Sequence, residues 1–263
     1  MDRPRRPSLP TLAALGVAAV RASVVAAAAG ALLGCPSGGG ELPDPSEPAG
    51  PRIISPQPIP DNATGVSVDP STLSATVEGD ALRVRGTASG PVAGDVRLTL
   101  TNLTRSPVGT TFTATLDRSF EVTIPGSLAD TYRLEETDAY TLVAHVRFDG
   151  TSVARFVDPC FAVGWNAPVI LLPQLDVGVT YLLQLPASNR CAASSGITAL
   201  RAWSEGDADV ASLPPPSGTV AAGAEVTLGI PVRATAAGTF SRLVVLTASD
   251  GAVSSVRLRG FTR

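Results

Sequence analysis

Few side chains in this sequence could do chemistry: three thiols, one histidine and two small groups of carboxylates. Cysteine stands at 35, 160 and 191, and His145 is the only histidine. One histidine cannot make a histidine-rich metal site, and no Ser-His-Asp set stands out around it. It alternates with Leu142, Ala144 and Val146, which predicts a strand with His145 on the more solvated face, beside Arg147. The run Glu135-Glu136-Thr137-Asp138 and the set Glu205, Asp207 and Asp209 could offer oxygens to Ca²⁺. Neither has the glycine and ligand spacing of a calcium loop, so both are expected to be solvated turns. A glycosidase needs two carboxylates brought together by the fold, which spacing alone does not reveal. With two Trp and three Tyr the chain lacks the aromatic richness of a sugar cleft. Trp165 and Trp203 are therefore read as core residues, a sugar platform being the alternative. All twenty basic residues are arginine, which excludes lysine Schiff-base and Ser-Lys chemistry. The arginines are scattered singly, with no basic stripe for nucleic acid. The expectation is a chain with no catalytic residue, no metal and no cofactor.

The elements that must position these residues are strands. Val96, Leu98 and Leu100 alternate with Arg97, Thr99 and Thr101, and Val226, Leu228, Ile230 and Val232 alternate with small or polar partners. A period of two marks a strand with one buried face. Asp149-Gly150 and Asp250-Gly251 each lie between two such runs and signal hairpins. Strands are expected at Ala81–Ala88, Asp95–Leu103, Thr111–Leu116, Ser119–Ile124, Tyr140–Phe148 and Thr151–Val157. Turn signals every 8–12 residues or so argue for β-sandwiches. Asn62-Ala-Thr64 and Asn102-Leu-Thr104 match the glycosylation pattern and are read as turn residues.

Near the N-terminus Arg21 precedes thirteen uncharged residues, Ala22–Gly34, and then Cys35. A spanning helix needs about 20 apolar residues, whereas a signal-peptide core needs roughly 7–15. The end of this run, Leu32-Leu33-Gly34-Cys35, resembles the lipobox of bacterial lipoprotein signal peptides. That resemblance implies cleavage before Cys35 and lipid modification of its thiol; an uncleaved anchor and a cut elsewhere are the alternatives. Residues 1–34 would then be a signal peptide, leaving 229 residues with 16 arginines against 22 acids. Residues 35–51 would be the lipidated cysteine and a tether whose Gly38–Gly40 run is flexible and whose later prolines are extended. Pro36, rather than an aspartate, follows the cysteine, which in lipoproteins of this kind points to the outer membrane.

With Cys35 assigned to lipid, Cys160 and Cys191 remain as a candidate disulfide in an exported, oxidising compartment, two free buried thiols being the alternative. If Pro168–Leu172 is a strand antiparallel to Tyr181–Leu185, both cysteines fall at one end of the sandwich.

Two further resemblances fix the expected organisation as all-β. Thr64-Gly65-Val66 with Asp69-Pro70, and Ser119–Leu128 downstream, are similar to bacterial Ig-like domains, implying a sandwich over residues 52–158. Val220–Gly223, Val226–Leu228, Leu243–Leu246, Ser249–Gly251 and Val256–Gly260 look like the ASH/Hydin-like Ig-fold domains, implying a second sandwich over residues 159–263. That family scaffolds and binds, and brings no catalytic residues. The expected function is a non-enzymatic cell-envelope lipoprotein displaying Ig-like domains for interaction or structure. Its partners would be the membrane, through lipid, and another envelope protein or polysaccharide. A carbohydrate- or peptide-binding lipoprotein is the alternative, and an envelope hydrolase the third reading.

Overall fold

The alternation read from the sequence becomes four sheets in the computed structural model, which describes residues 51–54, 56–58, 64–105, 109–165, 167–204 and 211–263. The N-terminal part contains β1 (Arg52–Ile54), β2 (Gln57–Pro58), β3 (Ser67–Val68), β4 (Ser74–Glu78), β5 (Ala81–Ser89) and β6 (Asp95–Asn102). It continues with β7 (Gly109–Thr115), β8 (Arg118–Pro125), β9 (Thr131–Glu136), β10 (Leu142–Arg147) and β11 (Arg155–Phe156). The C-terminal part contains β12 (Phe161–Val163), β13 (Val169–Leu171), β14 (Thr180–Asn189), β15 (Ser195–Ser204) and β16 (Ala211–Leu213). Last come β17 (Thr219–Val220), β18 (Glu225–Arg233), β19 (Gly238–Ala248) and β20 (Val253–Thr262). A 3-10 turn, Pro70–Thr72, is capped by Asp69.

The first sandwich packs a sheet of β3, β4, β5 and β8 against a sheet ordered β11-β10-β9-β6-β7. Leu82, Val84, Leu98, Leu100, Tyr132, Leu134 and Val146 fill the space between them. Asp149-Gly150 forms a turn, with both residues at positive φ and Thr151 N–H returning to Phe148 C=O. The expected strand Thr151–Val157, however, is reduced to Arg155–Phe156. Val153 and Ala154 turn to Ser74 and Leu73, and pairing with β10 resumes only at Arg147 opposite Arg155. The fold is Ig-like in a specific way. Tyr132, near the start of β9, donates its hydroxyl to Ser127 C=O at 2.9 Å, the tyrosine corner of Ig sandwiches. Gly126 makes room for it: a Cβ there would lie 2.2 Å from the tyrosine oxygen.

The second sandwich packs β12, β14, β18 and β1 against a sheet ordered β16-β15-β19-β20-β13-β2. Its core holds Leu183, Leu185, Leu228, Ile230, Val244, Leu246, Val256 and Leu258. Two details differ from the sequence reading. Arg52–Ile54 pairs parallel with β14, and Gln57–Pro58 pairs with β13, so residues expected to open the first sandwich are edge strands of the second. The segment Val169–Leu171 pairs with β20, not with β14; the antiparallel neighbour of β14 is Phe161–Val163. The chain changes sheets at Gly164-Trp165, both in the left-handed region at φ 68° and 60°.

That corner also explains the cysteines. Phe161 stands opposite Asn189, so Cys160 and Cys191 meet just beyond the ladder and form a disulfide with a Cα separation of 4.7 Å. The pairing follows the expected logic through a different strand. Residues 52–263 lie within one compact unit, and the two sandwiches touch through the outer faces of their facing sheets. Changing both cysteines to alanine is expected to lower the unfolding free energy by about 3–4 kcal/mol for a loop of this size, measured by urea titration with unchanged β-type circular dichroism.

Candidate functional site

Two of the chemistry-bearing residues, Glu135 and His145, meet where the two sandwiches touch. In β9, Tyr132 and Leu134 point into the first core, so Arg133 and Glu135 point to the opposite face. In β20, Val256 and Leu258 point into the second core, so Ser255 and Arg257 point the other way. These two outward faces cover each other. Arg133 is 0% exposed, Glu135 2% and Arg257 3%.

Glu135 lies between the two guanidiniums. Arg133 donates its Nε to Oε2 at 2.7 Å. Arg257 grips the carboxylate as a fork, Nε to Oε2 at 3.3 Å and Nη2 to Oε1. Arg133 then spans the junction, with Nη1 on Ser255 Oγ at 3.1 Å and Nη2 on Pro168 C=O at 3.2 Å. Burial works to push the Glu135 carboxyl up, but the charges of Arg133 and Arg257 outweigh it and hold it below the usual range. Burial pulls Arg133 down from its ordinary value, opposed by Glu135. A small apolar cluster of Leu103, Leu243, Val245 and Val253 flanks the charges. Arg201 ties Leu103 and Thr104 carbonyls to β15 at 3.0 and 2.9 Å.

His145 belongs to the same junction. It is 6% exposed, with Nε2 2.9 Å from Ser255 Oγ, so its expected solvated position beside Arg147 is corrected. Alternation placed it rightly on the polar face of β10. That face meets β20 instead of water.

A serine hydroxyl on an imidazole is the start of a nucleophile–base pair. Here the remaining parts are wrong for it. Burial, then the Arg133 charge, push the imidazole down to about 3 against a weaker opposing pull from Glu135, far from the value near 7 that suits a general base. Glu135 accepts from two arginines rather than orienting the ring. The cleft that His145 and Ser255 line together with Leu142, Phe161 and Pro168 measures about 180 Å³, below the roughly 300–1,000 Å³ of ordinary ligand pockets. The pair reads as a polar pin across the junction.

The other sequence candidates disperse. In the run from Glu135, Glu136 accepts from Thr64 Oγ1 and Asp138 pairs with Arg97 at 3.2 Å, so its carboxylates face three ways. Glu205, Asp207 and Asp209 lie outside the described residues, as do Asn62, Cys35 and the whole of residues 1–50. Asn102 is buried, and its Oδ1 accepts from Thr104 and Arg105 N–H, a turn as expected. Trp165 is 47% exposed at the sheet-switching corner rather than in a core. Trp203 sits in β15 opposite Leu243, its side chain outside the described set. The sequence reading missed Arg133 and Arg257. Their signal was charge inside strands whose other face is strongly apolar.

No protein-family model matches the chain, and no curated protein sequence matches it. Among solved structures, it is similar to the ASH/PapD-like domain 7 of human CEP192, at 14% identity and TM-score 0.29, covering 43% of this chain and 96% of that one. A protein of unknown function from Porphyromonas gingivalis W83 gives 10% and 0.27 over 75% of this chain and 99% of that one. Red sea bream transglutaminase gives 10% and 0.31 over 74% and 31%. At these scores the Ig-like, all-β assignment rests on the sheets and the tyrosine corner above.

Two outcomes test the junction. Glu135→Gln leaves two buried guanidiniums without their carboxylate and is expected to lose roughly 3–5 kcal/mol of stability. Glu121→Gln, at the exposed pair with Arg85, should lose under about 1 kcal/mol; urea denaturation compares them. The second outcome concerns pH. As pH falls below 6.5, the unfolded chain protonates His145 while the folded chain refuses the proton until about 3. Stability is therefore complete above 6.5 and falls through that window. Glu135, held low, adds its own loss only below its ordinary 4.5. The melting temperature of His145→Gln should accordingly be flatter than wild type between pH 6.5 and 4.5.

Proposed function

We propose that the protein is a non-catalytic cell-envelope lipoprotein that presents a braced pair of Ig-like sandwiches to another envelope protein or polysaccharide. The anchor rests on one observation, the uncharged run Ala22–Gly34 closed by Leu32-Leu33-Gly34-Cys35. Acylation of Cys35 would tether the mature chain to a membrane, with the Pro36 position favouring the outer membrane. The Cys160–Cys191 disulfide suits an oxidising compartment and supports export. The non-catalytic reading is supported by the junction. Its carboxylate is held by two arginines, and its imidazole and hydroxyl are bonded to each other beside a cleft of only about 180 Å³. Ig-like sandwiches host many functions, so the fold itself argues for none.

Two experiments test this reading. Expressed in a bacterial host and fed a labelled fatty acid, the wild-type chain is expected to take up label and Cys35→Ser to take up none. The variant should also move from the detergent to the aqueous phase on extraction. Fatty-acid labelling that persists without the thiol would overturn the anchor. Crosslinked pull-down from envelopes, comparing anchored and unanchored chains, then addresses the partner.

A further inference from the structure

A cleft of about 450 Å³ lies at one pole of the second sandwich, and Arg233, Arg242, Arg259, Tyr140, Thr235 and Thr262 are among its walls. None of its walls among the described residues is acidic. This is unusual in a molecule whose arginines mostly face carboxylates. Arg83 and Arg85 meet Glu121, Arg97 meets Asp138, Arg105 meets Asp130, and Arg147 and Arg155 meet Asp149.

Arg233 and Arg259 make no ion pair among the described residues. Arg233 is exposed at the end of β18. Arg259 is stacked on the Tyr140 ring, its guanidinium carbon 3.5 Å from the centroid, and its buried Nε has no hydrogen-bond partner among the described residues. Tyr140 itself takes a left-handed φ of 57°, a conformation that tyrosine rarely adopts. Arg242 forms the third wall and is oriented by its own bond from Nη1 to Pro231 C=O at 3.1 Å.

The position of the cleft adds a second observation. Thr262 precedes Arg263, which pairs with Asp176 at 3.0 Å, and Asp176 also meets Arg52 at 3.5 Å. The cleft residue Ala234 accepts from Gly178 N–H. The cleft therefore adjoins the place where the chain enters the fold, directly after the proline-rich stretch that follows Cys35.

We propose that this cleft binds a phosphate-type oxyanion through Arg233 and Arg259. Guanidiniums hold phosphate oxygens as forks and desolvate more readily than an ammonium. Stacking on Tyr140 presets one fork, so little side-chain freedom is lost on binding. The hydroxyls of Thr235 and Thr239, also on its walls, offer further donors. The oxyanion could be the headgroup of an anionic lipid or a soluble phosphate. The lipid source deepens the lipoprotein reading and depends on it; the oxyanion site does not.

The test uses the full chain carrying Cys35→Ser, so that no acyl chain contributes to membrane binding. Flotation with phosphatidylcholine vesicles sets the background from the apolar run at residues 22–34. The same vesicles mixed with phosphatidylglycerol should carry more protein, and calorimetry should detect binding of pyrophosphate. Arg233→Glu, at an exposed side chain without an ion pair among the described residues, should weaken both by about tenfold or more, the size of one charge-assisted contact. Arg259→Gln should do the same, with circular dichroism confirming the fold. Pyrophosphate binding without phosphatidylglycerol binding supports the site and assigns it a soluble phosphate. Binding of neither probe, or binding that both variants leave unchanged, overturns it. Fatty-acid labelling of the wild-type chain decides the anchor separately.

Discussion

The structure turns on one carboxylate. Glu135 sits between Arg133 of its own strand and Arg257 of β20, all three removed from water. Burying three charges is expensive, and attraction among them compensates only when the geometry is close and the spare donors are also bonded. Here the spare donors reach Ser255, Pro168 and Ser241. Those partners lie on the second sandwich, so the charges are satisfied in only one relative placement of the two halves. Apolar contacts at Leu103, Leu243, Val245 and Val253 exclude water around them. They carry little directional information themselves; the charged fork supplies the register.

The sheet-switching corner is a second constraint of the same kind. Phe161–Val163 pairs with β14 in one sheet, and Val169–Leu171 pairs with β20 in the other. The left-handed pair Gly164-Trp165 turns the chain between them. Pro168, just beyond the turn, lends its carbonyl to Arg133 and accepts from Arg257 N–H. The linker between the sandwiches is therefore part of the second sheet and of the junction at once. The disulfide closes beside the start of that linker.

The arginine-only composition takes on meaning at this level. At the junction, guanidinium planarity allows two-point contact with a buried carboxylate. On the surfaces of the sheets the same group forms exposed ion pairs worth little each. At the pole near Asp176, two arginines face no carboxylate among the described residues and one is stacked on an aromatic ring. Identical residues thus serve as brace, surface charge and candidate recognition group, according to what the fold sets opposite them.

Much of this was legible from the residues alone. Alternation at Val96–Leu100 and Val226–Val232 marks buried strand faces, because a strand shows its side chains alternately to two sides. Asp250-Gly251 marks the hairpin between β19 and β20, because its turn needs a residue at positive φ, which Gly251 supplies. The cysteine pair was legible too, once the lipobox resemblance set Cys35 aside. Alternation, however, separates two faces without saying what covers the second. Glu135 and His145 read as solvent-facing because polar residues usually are, and only the docking of a second sheet turned that face into an interior. Strand partners were likewise hidden: the pairing of Arg52–Ile54 with β14, more than a hundred residues away, depends on contacts that no local pattern encodes. The sequence by itself determined which residues turn from water within each strand. Only the tertiary structure decided which polar residues meet, because that depends on how whole sheets stack.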